Sequence, residues 1–432
     1  MKRIVILGAG ESGCGAAILA KKQGFEVFVS DSGEIKPQYL KMLDDNNIPY
    51  EQGQHTENLI LNADEIIKSP GIPDNAPILN QPILADKSKI ISEIEFAGRY
   101  TNAKMLCITG SNGKTTTTTL LYRILRNAGL NVGLAGNIGQ SLALQVANGK
   151  HDYYVIELSS FQLDGMYRFK ADVAILTNIT PDHLDRYDFK FQNYINAKFR
   201  ITQNQTKHDK FIFWQDDPVI QKELSQQDLG ATLVPYNINT PLPVEDEEIG
   251  IQGKHNRLNA TAATLAARSI GIADEVIART LKEFKGVEHR LQYVDTINSV
   301  RFINDSKATN VDSCFYALDA MTTPVVLILG GKDKGNDYTQ IDQLVLKKCH
   351  TLIFMGLHNE KLNEHFGHLF ANRTDKHIVD TDNLQDAVRQ AFEAAHDGDT
   401  VLLSPCCASF DLFKSYEDRG EQFMNEVKKL KA

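Results

Sequence analysis

The 432-residue sequence predicts an α/β protein of three domains, each built on a mostly parallel sheet with crossover helices. Length is the first observation, because one hydrophobic core rarely serves more than about 250–300 residues. The second is that short β-branched runs alternate with longer helical segments, as in a parallel sheet whose connections are helices. The third is that these runs fall into three series, each long enough for its own sheet.

The predicted strands divide the chain in order. The first series contains RIVILG, FEVFVSD and DEIIKSPG; the second contains KMLCITG, YYVIELSS, DVAILTN and KFIFW; the third contains VRFINDS, PVVLILGG, HTLIFMG and DTVLLSP. Polar or helical segments separate the runs. We place the domains at residues 1–94, 95–285 and 286–432.

Composition argues against two classes of partner. The formal net charge is -9, whereas a protein that coats nucleic acid needs a broad basic surface. No apolar stretch approaches the ~18 residues of a membrane span, and the apolar start MKRIVILGAG is better explained as a buried strand than as a leader. The six cysteines show no zinc-finger spacing, so we expect reduced thiols and a cytoplasmic protein.

A glycine-rich turn follows the first predicted strand. Gly8, Gly10 and Gly13 form G-x-G-x-x-G, and Asp31 ends the next strand, where a ribose-binding acid would lie. Glycines that open a helix N-terminus allow a diphosphate to approach the backbone N–H groups. The pattern alone makes NAD the default ligand, but it does not distinguish NAD from another nucleotide diphosphate, and a tight turn without a ligand is the structural alternative.

A second phosphate-binding turn follows the strand at MLCI and precedes a helix. It comprises Gly110, Ser111, Asn112, Gly113, Lys114, Thr115 and Thr116. Backbone N–H groups of such a loop cradle phosphates, the lysine neutralises the β- and γ-oxygens, and the threonine hydroxyl ligates magnesium. Ile108 occupies the position of the first glycine in the strict pattern, which points away from the common nucleotide switches. We therefore expect a P-loop ATPase-like central domain.

Metal-binding side chains follow two more strands of the same series. Glu157 closes YYVIE, and Asp182 with His183 follows LTNITP. Ligands in doubly wound sheets lie at the carboxyl ends of the strands, and a cation that bridges phosphates takes one or two carboxylates plus water. Singly, Glu157 could cap a helix and His183 could be an ordinary loop histidine; together, downstream of a phosphate loop, they favour a metal site.

These motifs and others resemble the Mur ligase family, in the right order over all three segments. The matching strings are GSNGKT, GNIG (136–139), ELSSFQL (157–163), TPDHLDRY (180–187), the lysine of NAKFR (Lys198), GKHNRLNA (253–260), EHR (288–290) and NDSKATN (304–310). GGKDKG (330–335) and LSPCCASFDLF (403–413) make the chain similar to the branch that adds D-glutamate. The family implies Rossmann-like first and third domains around the central ATP-binding domain.

The resemblance implies a reaction and assigns residues to it. ATP and two magnesium ions would drive ligation of D-glutamate to UDP-N-acetylmuramoyl-L-alanine in peptidoglycan precursor synthesis, through an acyl phosphate, and the first domain would hold uridine diphosphate rather than NAD. Lys114, Glu157, His183 and Lys198 would be catalytic, with Thr115, Glu157, His183 and Lys198 around metal and Lys198 carbamylated; an ordinary lysine that contacts phosphate is the alternative.

The remaining assignments are contacts with ATP and the two substrates. Asn256, Asn259, Arg290, Asp305 and Lys307 would contact ATP in addition to the phosphate loop. Glu11, Ser12, Asp31, Ser32, Gly71, Asn137, Ser159, Gln162 and His183 would contact the UDP-linked substrate, and Thr309, Lys334, Ser409 and Phe410 would grip D-glutamate. Lys332 stands where the family often has an acidic or small residue, so its role stays open. We expect a monomer.

Three rival interpretations remain at this point. The nearest is another amino-acid ligase of the same family, against which the serine in DSKAT, the absence of an Asp-Asn-Pro-Arg-like string and the ASF near the end all weigh. An NAD-dependent oxidoreductase would rest on GAGESG alone. A phosphate-loop ATPase acting as a mechanical module would hydrolyse ATP without any amino acid.

Overall fold

The computed structural model describes residues 1–81, 84, 86–251, 253–371 and 373–431. The chain forms two compact units. The first comprises Met1–Ile249 and Asn256–Glu283, and the second comprises Gly250–His255 and Phe284–Ala432. The three predicted domains are present as three sheets, two in the first unit and one in the second. The exact boundaries near residues 94 and 285 stay predictions, and residue 94 lies inside a helix.

The first sheet is parallel and has the strand order β3-β2-β1-β4-β5. Its strands are β1 (Arg3–Leu7), β2 (Glu26–Asp31), β3 (Tyr50–Gln52), β4 (Glu65–Lys68) and β5 (Ile90–Ile91). Its helices are α1 (Glu11–Lys22), α2 (Pro37–Asp45), α3 (Glu57–Ile60) and α4 (Glu93–Gly98), with 3-10 turns at Pro77–Asn80 and Lys87–Lys89.

The second sheet is also parallel and has the order β11-β10-β9-β6-β8-β7. Its strands are β6 (Lys104–Thr109), β7 (Val132–Gly136), β8 (Tyr153–Glu157), β9 (Val173–Leu176), β10 (Lys210–Trp214) and β11 (Thr232–Tyr236). Its helices are α5 (Lys114–Asn127), α6 (Leu142–Asn148), α7 (Ser160–Asp164), α8 (Phe191–Phe199), α9 (Pro218–Leu224), α10 (Lys254–Ser269) and α11 (Asp274–Glu283). Short 3-10 turns lie at Leu184–Arg186, Arg200–Thr202 and Asp246–Glu248.

Helices α1, α4 and α6 join these two sheets in one core. Glu93 at the start of α4 is buried, and its Oε1 accepts hydrogen bonds from the Ser141 hydroxyl at 2.7 Å and the Ala143 N–H at 2.5 Å, at the start of α6. A Cβ on Gly15 of α1 would lie 2.1 Å from the Ser141 hydroxyl oxygen. The two helices therefore approach closely because α1 has a glycine at the contact.

The second unit has one sheet with the order β12-β13-β17-β14-β15-β16. Only the β12–β13 pair is antiparallel among its described strand pairings. Its strands are β12 (Gln292–Ile297), β13 (Val300–Asn304), β14 (Val325–Gly330), β15 (Cys349–Met355), β16 (His377–Thr381) and β17 (Thr400–Cys406). Its helices are α12 (Val311–Asp319), α13 (Asp342–Lys348), α14 (Glu360–Leu369), α15 (Leu384–Ala394) and α16 (Tyr416–Lys429), with a 3-10 turn at Tyr338–Ile341.

Burial explains which strands the sequence reveals. Central strands such as β14 are buried at every residue and consist of one apolar run. The edge strands β3, β5, β7, β11, β12 and β16 were not predicted, and they are short, partly exposed or rich in glycine. The fold class is nevertheless the predicted one. Among the described residues, no helix has both the length and the apolar character needed to cross a membrane, and all six cysteines are free and buried.

Candidate active site

The predicted phosphate loop connects β6 to α5 at the carboxyl end of the second sheet. Gly110 and Gly113 have φ values of +146° and +80°, which a residue with a side chain rarely adopts. The Lys114 ammonium donates to the carbonyl oxygens of Gly110 at 2.9 Å and Ser111 at 2.8 Å. The lysine therefore lies over its own loop, and Thr115 is buried directly behind it in the first turn of α5.

The segment after β9 holds the phosphate loop in shape, a role that was not predicted from the sequence. The Asn178 carbonyl oxygen accepts from the Ser111 N–H at 2.9 Å, and the Asn178 side-chain oxygen accepts from the Asn112 N–H at 2.9 Å. The Thr177 hydroxyl donates to the Asn112 carbonyl at 2.6 Å, and the Ser111 hydroxyl donates to that of Thr180 at 2.8 Å. The signal was the polar string TNIT directly after a buried strand.

Helix α10 packs its first turns against the same loop. A Cβ on Gly113 would lie 2.3 Å from Oδ1 of Asn259, so glycine is required there by space as well as by φ. That Oδ1 also accepts a hydrogen bond from the Thr117 hydroxyl at 3.3 Å. Asn256 and Asn259 are both buried and contact each other at 3.4 Å. The structure thus places Asn259 beside the phosphate loop; contact with the nucleotide stays a prediction.

Glu157 ends β8 with one carboxylate oxygen unsatisfied. Its side chain is 1% exposed, and Oε1 accepts a hydrogen bond from the Asn137 amide at 2.7 Å. No hydrogen-bond donor in the described part of the chain reaches Oε2, which is buried. A buried carboxylate oxygen without a partner costs about 1–3 kcal/mol or more. An oxygen of this kind suits a hard divalent cation, which prefers carboxylate ligands.

Lys198 on α8 is a fully buried amine near the same loop. Its Nζ donates to the Gly110 carbonyl at 2.7 Å and to the Thr109 hydroxyl at 3.2 Å, and lies 5.1 Å from the ring centroid of Tyr194. Burial, and secondarily the charge of Lys114, holds the pKa of Lys198 well below its usual value. A lowered pKa increases the fraction of an amine that is uncharged and nucleophilic.

His183 begins a 3-10 turn in a left-handed conformation, with φ +53°. Its side chain is 39% exposed, and Nε2 lies 3.6 Å from Oδ2 of Asp182. Its ring packs edge-on against Phe161, with the ring centroids 5.1 Å apart. The imidazole is therefore held against Phe161 and is partly exposed. Charges of Asp182 and Glu157 also act on Lys198, which places the predicted metal residues in one electrostatic neighbourhood.

Two of the predicted substrate residues have a local structural role. Ser159 and Gln162 form a capping box at the start of α7, in which the Gln162 N–H donates to the Ser159 hydroxyl at 3.3 Å and the Ser159 N–H donates to Gln162 Oε1 at 2.9 Å. Such a box fixes the helix start. Any contact of these side chains with substrate stays a prediction.

The first glycine-rich turn connects β1 to α1. A Cβ on Gly13 would lie 1.9 Å from the Gly8 carbonyl oxygen, so this glycine allows the helix to pack on the turn. A Cβ on Gly10 would meet no atom of the described residues within 4 Å. Packing inside the protein therefore does not require Gly10, whereas a ligand that approaches the helix N-terminus would.

The carboxylates of this first turn are occupied by protein donors. Oδ2 of Asp31 accepts from the Ala9 N–H at 2.7 Å, and Oδ1 accepts from the Gly33 N–H at 2.8 Å. Oε1 of Glu11 accepts from the Ser141 N–H at 3.1 Å. The other predicted substrate residues of this region differ in burial: Ser12 is half-buried, and Ser32 and Gly71 are exposed.

In the second unit, Asp305 follows β13 and is completely buried. It accepts hydrogen bonds from the Leu291 N–H at 3.1 Å and the Ser404 hydroxyl at 3.0 Å, and Arg290 Nη1 lies 3.8 Å away. Burial raises the pKa of Asp305 to about 6, although Arg290 opposes the shift. The Lys307 amine, on the same loop, donates to the Tyr416 hydroxyl at 3.2 Å. Three predicted nucleotide contacts therefore share one short region.

Arg419 holds this loop from behind and was missed in the sequence. It is 0% exposed, and its guanidinium donates to the Ser306 carbonyl at 2.8 Å and to the Cys407 carbonyl at 3.3 Å. Burial lowers the pKa of Arg419 to about 10. A buried arginine in the polar-looking helix α16 gives no signal in sequence.

Among the predicted D-glutamate residues, Lys334 follows β14, and Ser409 and Phe410 follow the neighbouring strand β17, whereas Thr309 follows β13 on the other side of β17. The backbones of Lys332 and Ala408 pair in an antiparallel bridge, with the Lys332 N–H donating to the Ala408 carbonyl at 2.8 Å. Lys332 thus joins the two loops through its backbone, and the role of its side chain stays open. Of the predicted residues, Ser409 is buried, Lys334 and Thr309 are half-buried, and Phe410 is 70% exposed.

Family models match all three parts of the chain. The model of the MurD N-terminal domain matches residues 3–77, the Mur ligase middle domain matches residues 108–242, and the Mur ligase glutamate ligase domain matches residues 289–407. The first of these covers the glycine-rich turn that alone had suggested NAD.

Curated relatives match over the full length. UDP-N-acetylmuramoylalanine–D-glutamate ligases from Bacteroides fragilis and Bacteroides thetaiotaomicron are each 59% identical and cover 100% of both chains. That of Porphyromonas gingivalis is 55% identical over 99% of this chain and 98% of its own.

Solved structures share the fold at low identity. UDP-N-acetylmuramate-alanine ligase of Thermotoga maritima has a TM-score of 0.61 at 17% identity and covers 100% of both chains. A pseudomurein peptide ligase of Methanothermus fervidus has a TM-score of 0.62 at 20% identity, also with 100% coverage of both. Folylpolyglutamate synthase of Mycobacterium tuberculosis, with ADP and AMPPCP, has a TM-score of 0.60 at 12% identity and covers 75% of this chain and 92% of that one.

Proposed function

The chain belongs to the Mur ligase family, and we propose from this that it joins D-glutamate to UDP-N-acetylmuramoyl-L-alanine with consumption of ATP, in peptidoglycan precursor synthesis. The observation that carries the proposal is 59% identity, over 100% of both chains, with ligases named for adding D-glutamate. It favours this branch over other amino-acid ligases of the family. The match of residues 3–77 to the MurD N-terminal domain weighs against an NAD-dependent oxidoreductase.

The chemistry requires activation of a carboxylate. The L-alanyl carboxylate attacks the γ-phosphorus of ATP, ADP leaves, and an acyl phosphate forms. The uncharged amine of D-glutamate then attacks the acyl carbon, phosphate leaves with the C–O bond electrons, and the amine loses a proton. In this proposal, either His183 or a phosphate oxygen accepts the proton.

The first step brings two anions together, and Lys114 opposes their repulsion. At ~4 Å and an effective dielectric of about 20, two unit charges repel by roughly 4 kcal/mol. The Lys114 ammonium lies over the phosphate loop, 2.9 Å from the Gly110 carbonyl, where it would face the β- and γ-phosphates. The loop N–H groups and the start of α5 would hold the triphosphate in line with the carboxylate.

Magnesium fits the residues around Glu157. The unsatisfied buried Oε2 of Glu157 is a ligand atom without a protein partner among the described residues, and Thr115 and His183 supply a hydroxyl and an imidazole. When bound, two magnesium ions would neutralise phosphate charge. Asn137 orients Glu157 through the 2.7 Å hydrogen bond to Oε1, so it would position the ligand rather than bind metal itself.

Lys198 is suited to carbamylation. Carbon dioxide adds to an uncharged amine, and burial keeps the pKa of Lys198 well below its usual value. The nitrogen would lose one proton as the N–C bond forms, and the product would carry a carboxylate in place of an amine, which suits a metal site that already includes Glu157. The hydrogen bonds from Nζ to Thr109 and Gly110 fix the amine beside the phosphate loop.

The substrates occupy loops outside the phosphate loop in this proposal. The turn at Gly10 would hold the uridine diphosphate with Glu11, Ser12, Asp31, Ser32 and Gly71, and Asn137, Ser159, Gln162 and His183 would contact the muramoyl side. Asn256, Asn259, Arg290, Asp305 and Lys307 would contact ATP. The two carboxylates of D-glutamate call for a cation and hydroxyl donors, which Lys334, Ser409 and Thr309 supply, with Phe410 beside them. We further propose that the protein is cytoplasmic, because both nucleotide substrates belong to that compartment. We also propose that it is a monomer, which light scattering tests.

Release of phosphate tests the function. The protein is supplied with ATP, magnesium and UDP-N-acetylmuramoyl-L-alanine, together with D-glutamate, L-glutamate, L-alanine or no amino acid. We expect phosphate release and a new amide product only with D-glutamate. An equal rate without any amino acid would indicate a mechanical ATPase, and a product with L-alanine would indicate another branch of the family.

A further inference from the structure

A turn at the amino end of β17 brings a histidine and a carboxylate together. The Asp399 N–H donates to the His396 carbonyl at 3.0 Å, and Gly398 has φ +90° at the third position of this four-residue turn. The His396 N–H donates back to Oδ2 of Asp399 at 2.7 Å, and His396 Nδ1 lies 3.4 Å from the same oxygen. The H-D-G-D string therefore folds so that both side chains point to one place.

A second histidine reaches that place from another strand. His350 is the second residue of β15, and its Nε2 lies 2.9 Å from Oδ2 of Asp399. Strands β15 and β17 lie on either side of β14 in the sheet. The two imidazole ring centroids are 5.2 Å apart. Parts of the sheet that are not adjacent thus supply two imidazoles and one carboxylate to a single point.

We propose that His350, His396 and Asp399 bind a divalent first-row transition metal, zinc in the first instance, with water completing the coordination. One ligand atom from each residue lies within 4.8 Å of the others. Two ligand atoms at ~2.1 Å from one ion are about 3.0–3.4 Å apart for angles of 90–109°. The observed histidine-to-carboxylate distances of 2.9 and 3.4 Å match that separation. Two imidazoles and a carboxylate are a ligand set that zinc accepts.

The surroundings supply an oriented ligand and an entry path. The second ring nitrogen of His350, Nδ1, lies 2.9 Å from the hydroxyl of Thr351, a residue that is 1% exposed. A hydrogen bond of this kind fixes the orientation of a metal-binding imidazole. Asp399 is buried, while the side chain of His396 is 79% exposed. His396 can therefore move the short distance needed to close on an ion that arrives from solvent.

The position indicates a structural cation rather than a catalytic one. His350 and Asp399 lie at the amino ends of their strands, whereas Asp305 and Ser409 follow the carboxyl ends of strands in the same sheet. An ion here would tie the turn before β17 to the start of β15. The proposal does not depend on the ligase reaction, and ligase activity should not change when the site is removed.

Cobalt and zinc binding to the full-length, untagged and chelator-treated protein tests the site. We compare the wild type with His396→Ala, which should fold because His396 is exposed, and with His358→Ala as the control, because His358 is also exposed and lies 3.8 Å from a carboxylate of Glu360. Thr351→Val removes the hydroxyl that orients His350. Equilibrium dialysis counts bound ions, and the visible absorption of bound cobalt reports its ligands.

We expect wild type and His358→Ala to bind one cobalt ion more than His396→Ala, with ligand-field bands of an imidazole-containing site. We also expect Thr351→Val to bind about tenfold more weakly. Zinc should raise the urea midpoint of the wild type and of His358→Ala but not that of His396→Ala. Equal stoichiometry and affinity in wild type and His396→Ala would overturn the proposal.

Discussion

The two glycine-rich turns of the first unit use the same backbone device for different purposes. Both connect a buried strand to a helix whose N-terminus is open. In the first, the carboxylates of Glu11 and Asp31 are held by backbone N–H groups. In the second, the Lys114 amine and the buried Lys198 amine converge on the Gly110 carbonyl, at 2.9 and 2.7 Å, close to the unsatisfied oxygen of Glu157. In the proposed function, the first turn holds a substrate and the second takes part in the reaction.

Reactivity therefore comes from the side chains around the turn rather than from the turn itself. A helix N-terminus stabilises an anion by about 0.3–1 kcal/mol in exposed settings, which contributes to binding. Phosphoryl transfer between two anions needs a larger and more localised positive charge. Substitutions that alter one turn and leave the other intact test this difference.

The largest effect is expected from Lys114→Ala. Loss of the ammonium should lower kcat/KM for ligation by about a thousandfold or more, because the charge acts on the transferring phosphoryl group. The affinity for the UDP-linked substrate, measured by calorimetry, should change little. Lys21→Ala, at the exposed end of α1, is the matched control and should keep full activity. Retained ligation in Lys114→Ala would remove the proposed distinction between the turns.

The second-largest effect is expected from Glu157→Gln, which should lower ligation activity about a hundredfold at a fixed magnesium concentration. The glutamine side chain has nearly the same size and can still accept a hydrogen bond, but it lacks the negative charge that suits a cation. Activity measured against magnesium concentration should show a higher half-saturating value than in the wild type. An unchanged magnesium dependence would mean that Glu157 is not a ligand.

Glu93→Gln tests the carboxylate network behind the first turn through pH. Burial raises the pKa of Glu93 to about 7, opposed by hydrogen bonds from Ala143 and Ser141 and supported by the charge of Glu11. The folded state therefore binds more protons than the unfolded state between about pH 4.5 and 7. The associated stability is complete below that window and is lost as pH rises through it.

We expect the wild type to lose up to about 3 kcal/mol of unfolding free energy across that window relative to Glu93→Gln. Urea unfolding at pH 4.5 and pH 7.5 measures the difference. The glutamine can still accept both hydrogen bonds, so the packing control is built into the variant. If the unfolding free energies of the wild type and Glu93→Gln changed equally with pH, the raised pKa of Glu93 would be contradicted.

The smallest effects compare a glycine from each turn. Gly113→Ala should cost roughly 1–3 kcal/mol, because φ is +80° and the new Cβ would lie 2.3 Å from Asn259 Oδ1. Gly10→Ala should change stability by less than about 0.5 kcal/mol, because its Cβ would meet no atom within 4 Å in the described part of the chain. Gly10→Ala should instead raise KM for the UDP-linked substrate. Equal stability losses would show that the two glycines serve the same purpose.

The sequence revealed the interior of each sheet and missed every edge. Strand β14 is buried at every residue, and β1 and β6 are buried at every residue after the first, so their mainly apolar runs predict strands directly. The six missed strands occupy the two edges of the three sheets. Edge strands are short or carry polar residues on the exposed side, as in HIVDT at β16. A fully apolar run thus indicates a strand that is covered on both faces and lies between two other strands. An edge strand has a neighbouring strand on one side only.

The site divides in a similar way. Lys114 and Glu157 could be predicted because a phosphate loop and a carboxylate at a strand end have fixed local signatures. Asn178 and Arg419 could not, since their roles depend on loops brought together from 66 and 113 residues away in the chain. Asn259 likewise accepts a hydrogen bond from Thr117, in the helix that follows the phosphate loop, although the two residues are 142 positions apart in the chain. Local pattern identifies the reacting groups, and only the fold identifies the groups that hold them.

The account depends most directly on activation of the alanyl carboxylate by phosphorylation. UDP-N-acetylmuramoyl-L-alanine labelled with oxygen-18 in its carboxylate, incubated with the protein, ATP, magnesium and D-glutamate, gives inorganic phosphate whose mass can be measured. The account predicts one labelled oxygen in each phosphate released with product. Phosphate without label, formed alongside the amide, would contradict it.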